Sequence, residues 1–101
     1  MILAIIRMKV FPEKHKELSQ TIASLAVSIR SDNGCRRCDF CRNVENENDL
    51  LLLEEWDTEE NLKRHMRSER FKVLRGAANL LKEPFEILFH TVFQPEGLED
   101  G

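Results

Sequence analysis

The sequence predicts one α+β domain, and three observations predict it. Apolar runs or two-residue alternation mark strands at 2–11, 35–44, 50–56 and 85–93; apolar residues at helical spacing follow Pro12 and Asp57; turn-forming residues separate these segments. The order is strand, helix, strand, strand, broken helix, strand, which is the ferredoxin-like split βαβ arrangement with a four-stranded antiparallel sheet.

Each element has its own grounds. From Ile2 to Phe11, Ile2, Ala4, Ile6, Met8 and Val10 alternate with Leu3, Ile5, Arg7 and Lys9, so both faces of the first strand carry apolar groups. Pro12 suits a first helical turn, and Leu18, Ile22, Leu25, Ala26 and Ile29 then fall on one face of a helix ending near Ser31. Asp32-Asn33-Gly34 closes it. Cys35 to Val44 alternates loosely and forms the second strand, and the polar run Glu45 to Asp49 is a hairpin loop. Leu50 to Trp56, short and apolar between two turns, is the third strand. Asp57 offers an N-cap with Glu60 at capping-box spacing for a helix to about Met66, and Ser68 caps a second piece bearing Phe71, Leu74, Ala78 and Leu81. Pro84 stops it. Phe85, Ile87, Phe89, Thr91 and Phe93 alternate with Glu86, Leu88, His90 and Val92 in the fourth strand. The domain is expected over 1–95, with 96–101 as an acidic, flexible tail.

The bulk properties narrow the function classes. With 101 residues the chain has length for one core, and 42% hydrophobic with 33% charged residues is the balance of a soluble globular protein. A net charge of −3 gives no general attraction for nucleic acid or anionic lipid. The apolar opening runs at once into Arg7 and Lys9 with no basic n-region and no cleavage site, so it does not read as a signal peptide, and no run approaches the roughly 20 residues of a membrane span. A cytoplasmic protein is expected, consistent with Cys35, Cys38 and Cys41 being an odd, clustered set that makes a poor disulfide framework.

That cysteine run has the spacing of three iron–sulfur ligands, but a strand separates them. Strict alternation puts Cys35 and Cys41 on one face and Cys38 on the other, about 10 Å between consecutive members at roughly 3.3 Å per residue. Three sulfurs so placed share no metal and close no disulfide. Free thiols acting as small hydrophobes, with no metal, are expected.

Two helices cover only one face of a four-stranded sheet, whereas strands one, three and four are apolar on both. The second face needs a cover, and a second copy of the chain is the simplest. At about 25 cal/mol per Å² of apolar area, pairing through sheet faces supplies tens of kcal/mol before association costs, so an obligate homodimer is expected. The row Phe85 to Phe93 suits the helix-covered side, leaving Leu88, His90 and Val92 nearer the partner.

Asn33-Gly34-Cys35, Glu55-Trp56-Asp57, Leu62 and the stretch His65-Met66-Arg67-Ser68-Glu69-Arg70-Phe71 resemble the pattern of the antibiotic biosynthesis monooxygenase family over roughly residues 2–94. The resemblance implies a dimeric α+β barrel and oxidation of quinols, anthrones or related small molecules without flavin or metal. It excludes the haem-degrading branch in its usual form, whose catalytic Asn, Trp and His fall at Ile6, His65 and Arg75 here. In the polyketide-oxidising branch a pocket Trp and Arg match Trp56 and Arg75, while the pocket Tyr falls at Leu62.

On this resemblance His65 and Arg75 are the candidate catalytic residues, and Trp56, Phe71 and Leu62 the substrate-binding ones. Imidazole titrates near neutrality and can take a phenolic proton; a guanidinium can steady the anion. His65 also reads as a pocket-edge hydrogen-bonding residue, Trp56 as a core anchor and Arg75 as a surface ion pair. His15 and His90 have no ligand spacing. Glu54-Glu55 points to opposite sheet faces, and Glu59-Glu60 suits a helix N-terminus. The expected function is cofactor-free monooxygenation of a quinol or other electron-rich aromatic. The alternative is a non-catalytic dimeric module, stress-associated or binding a small ligand.

Overall fold

The computed structural model describes residues 1–93, so the expected tail over 96–101 lies outside the described residues. The elements in chain order are β1 (Ile2–Lys9), α1 (His15–Ile29), β2 (Cys35–Arg42), β3 (Asp49–Trp56), α2 (Glu59–Met66), α3 (Glu69–Ala77) and β4 (Glu86–Thr91). The four strands form one antiparallel sheet in the order β2-β3-β1-β4, the α+β ferredoxin-like arrangement expected.

Element ends depart from the sequence reading for local reasons. β1 runs to Lys9; beyond it Val10 still donates its N–H to Asn48 O at 3.0 Å, in line with the β1–β3 register, and bridges to Leu81 on its other side. Pro12–Lys14 is a 3₁₀ turn, so the α-helix proper begins at His15. The cap of α2 is Thr58 rather than Asp57: its hydroxyl accepts from Asn61 N at 3.1 Å, and Asp57 accepts from the Asn61 side chain at 2.8 Å. That bond holds the exposed Asp57 carboxyl below the usual range. Ser68 caps α3 as expected, and Ala78–Leu80 ends it in a 3₁₀ turn.

Side-chain parity divides the sheet. Ala4, Ile6 and Met8 on β1 and Leu50, Leu52, Glu54 and Trp56 on β3 face the helices and are buried. Leu18, Ile22, Leu25, Ala26 and Ile29 of α1, with Phe71, Leu74 and Ala77 of α3, complete that core. Ile87 and Phe89 of β4 pair with Ile6 and Ala4, and Leu88 and His90 with Ile5 and Leu3 on the other side, so the expected parity holds; of the row Phe85 to Phe93, however, only Phe85 and Ile87 pack against the core, while Phe89 and Phe93 lie beyond the helices' cover, 48% and 81% exposed. The uncovered face carries half-buried Leu3, Ile5, Leu51, Leu53 and Leu88, with Leu53, Ile5 and Leu88 in one cross-strand row.

The cysteine placement is a correction. The register slips between Cys35 and Arg37, so Arg36 is an extra residue in β2, and Cys35 pairs with Trp56 while Cys38 pairs with Glu54. Cys35 and Cys38 therefore share the helix-covered side, and Cys41, opposite Leu51, lies on the uncovered one. All three thiols are free. No described helix is long and apolar enough to cross a membrane.

Candidate active site

The site assembles where the α1–β2 turn, the end of β3 and the α2–α3 junction meet. Gly34 has φ 88° and its carbonyl accepts from Asp57 N at 2.9 Å, which brings the turn against the start of α2. A Cβ there meets Asn61 Nδ2 and Asp57 Oδ1 at 2.5 Å, so glycine is required by both conformation and contact. The approach sets Asp32 beside the last turn of α2. There His65 points inward, one turn after the buried Leu62.

Ser68 joins α2 to α3. Its hydroxyl donates to His65 O at 2.6 Å and accepts from Phe71 N at 3.4 Å, fixing the helix junction on both sides of the imidazole. The His65 ring stacks on Trp56 with centroids 4.6 Å apart and meets Phe71 edge-on at 5.7 Å. Arg75, exposed and one turn beyond Phe71, lies over that ring at 5.0 Å.

Polar groups run through this stack. Arg70 Nη1 donates to Asp32 Oδ1, and Asp32 Oδ2 lies 3.3 Å from His65 Nδ1. On the ring's other side Nε2 is 3.2 Å from Glu54 Oε1, an ion-pair distance, but off the line of a hydrogen bond. Trp56 Nε1 donates to the same Oε1 at 3.0 Å, and Glu54 Oε2 has no partner among the described residues. Glu54 and His65 are both buried, with side chains 1% exposed. Burial, followed by the charge of Glu54, pushes the Cys38 thiol up to about 12, and burial also raises Cys35.

The fold thus brings Trp56, His65, Phe71 and Arg75 into one contact series. The space between Trp56 and Phe71 is filled by the imidazole itself. Leu62 lines a separate open cavity of about 280 Å³ with Ile2, Met66 and Phe89, and with Glu59, Lys63, His90 and Thr91 at its edge. That cavity adjoins the stack: Ile2 is the cross-strand partner of Trp56, and Leu62 and Met66 precede and follow His65 on α2. Among the described residues no group of three His, Cys, Asp or Glu side chains is placed to hold a metal ion.

Sequence reasoning missed Asp32, Glu54 and Arg70. Glu54 carried a usable signal, since it shares parity with Leu50, Leu52 and Trp56 in an otherwise apolar row. Asp32 carried none, because its partners lie 33 and 38 residues away.

Comparison with known proteins agrees with this architecture. The family described as antibiotic biosynthesis monooxygenase matches residues 1–77. A protein of Bacillus subtilis named "Putative monooxygenase YcnE" is 32% identical over 82 residues, 79% of this chain and 85% of that protein. A conserved protein from Methanosarcina mazei superposes with TM-score 0.84 at 30% identity, covering 88% of this chain and 89% of that one. Rv0793 from Mycobacterium tuberculosis, with TM-score 0.85 and 18% identity over 95% and 98% of the two chains, shares the fold.

Proposed function

Because the chain belongs to the antibiotic biosynthesis monooxygenase family, whose members carry a monooxygenase-like function, we propose that it oxidises a quinol or similar electron-rich aromatic with dioxygen and no cofactor. The observation that supports this best is a buried imidazole set between two aromatic rings and two carboxylates, next to an open cavity of about 280 Å³ lined by Ile2, Leu62, Met66 and Phe89 among polar groups.

In this reading the substrate enters beside Leu62 and is bounded by Trp56 and Phe71 once the α2 side chains make room. His65 takes the phenolic proton, and Arg75 stabilises the anion. The anion passes one electron to dioxygen, and the radical pair combines into a carbon-bound peroxide anion, which recovers the proton. Loss of water then takes the distal oxygen and the ring hydrogen, leaving one oxygen in the product. Oxygen uptake by purified protein across a panel of quinols and anthrones tests the reading: uptake above buffer that disappears in His65→Ala supports it, and uptake equal to buffer throughout overturns it.

The enclosure of His65, whose side chain is 1% exposed, favours a second reading: a module that holds a small apolar ligand without turning it over. Native mass spectrometry showing a co-purified ligand that His65→Ala binds with altered affinity, without oxygen uptake, supports that alternative. In both readings the chain pairs as a homodimer through the uncovered sheet face.

A further inference from the structure

Each ring nitrogen of His65 faces a carboxylate, with Nε2 lying off the line of a hydrogen bond. Nδ1 faces Asp32 Oδ2 at 3.3 Å, and Asp32 is already matched to the cation Arg70, so a proton on Nδ1 satisfies that carboxylate. Nε2 faces Glu54 Oε1 at 3.2 Å. Glu54, unlike Asp32, has no arginine or lysine against it among the described residues; its one hydrogen bond comes from the Trp56 indole. If Nε2 and Glu54 were both bare, two acceptors would oppose each other in the interior, where low dielectric magnifies the repulsion. A single proton removes the conflict, whether it sits on the carboxyl or on the ring.

We propose that Glu54 and His65 form one acid–base unit that, besides the proton on Nδ1, holds one proton between Nε2 and the carboxyl group in the resting protein, with Glu54 as a positioning residue acting through His65 and Asp32 fixing the ring tautomer. The catalytic meaning rests on the oxidation reading above; the proton sharing does not. During turnover the Nε2–carboxyl site passes from one proton to two as the phenolic O–H breaks, and returns to one when the peroxide anion is protonated. Other groups nearby leave this assignment intact. Cys35 and Cys38 approach Glu54 from β2 as thiols, and Arg30 donates its Nε–H to Cys38 O at 2.8 Å. Arg70 reaches the ring only through Asp32, and Arg75 lies over Phe71.

Nitrogen NMR of the full chain labelled in histidine tests the proposal without needing turnover. In the wild type near neutral pH, the Nε2 resonance of His65 should lie between those of bare and protonated nitrogen while Nδ1 stays protonated. Glu54→Gln keeps the shape and the acceptor for Trp56 but removes the proton site, and should shift the His65 titration to lower pH. Trp56→Phe frees Oε1 from the indole and should shift it to higher pH. A wild-type Nε2 resonance at the value of a nitrogen that neither holds nor accepts a proton, or an unchanged titration in whichever of the variants folds, overturns the proposal. If the shifts appear but no quinol is oxidised, the shared proton stands and the oxidation reading falls. If oxidation occurs while Glu54→Gln leaves both the His65 titration and the pH–rate profile unchanged, the reverse holds.

Discussion

Cys38 faces Glu54 across the β2–β3 pair and is 1% exposed. Its thiol, normally ionising at 9.0, is pushed up to about 12 in the fold, so the folded state favours the protonated form. The stability this contributes is present in full below pH 9 and is lost as pH rises towards 12. Circular dichroism in urea at stepped alkaline pH should therefore show stability falling over that window in the wild type, and falling less in Cys38→Ala. Legibility at this scale followed sequence distance and residue type. Trp56, His65, Phe71 and Arg75 were singled out by the resemblance to the family pattern, and the fold places them in contact. Asp32 and Glu54 were not, because a carboxylate is common and its meaning here depends on what the fold brings against it.

The elements were readable by type and less so at their ends, where side chains competed for the same donors. Asp57 and Thr58 both suit an N-cap; Thr58 caps α2, while Asp57 binds the Asn61 side chain. Gly34 is the tighter constraint. Replacing it with Ala forces a Cβ into a positive-φ site and within 2.5 Å of Asn61 and Asp57 atoms, and chemical denaturation should show a loss of about 1–3 kcal/mol. Ser68→Ala removes the cap of α3 and should cost about 1 kcal/mol by the same measurement, with a change in Trp56 fluorescence as the His65 stack loosens. The bulge in β2 was not legible, because strict alternation is the default and no glycine or proline marks the slip.

For the whole molecule, strand and helix periods sufficed for the topology, and parity sufficed for the two sheet faces of β1, β3 and β4 but not of β2, where the bulge moves Cys35 to the side of Cys38. Assembly is the question the uncovered face raises. Ile5 is its centre, between Leu53 and Leu88 across the neighbouring strands. It is only half-buried, so Ile5→Lys should leave the fold intact while placing a charge in the middle of the face proposed to pair. Sedimentation equilibrium at low micromolar concentration should find a dimer for the wild type and a more than tenfold weaker one for the variant. A stably folded wild-type species of 11.8 kDa excludes the dimer.

The extra residue in β2 also sets a reading frame for the strand. Removing Arg36 takes away only the unmatched position, so every later residue of β2 keeps its partner on β3 and its side of the sheet. Removing Asp39 instead moves each later side chain to the opposite face, turning Phe40 away from the core and Cys41 into it. A deletion scan of β2 should therefore be tolerated at one position and damaging two or three residues further on, an asymmetry that strand length alone does not produce.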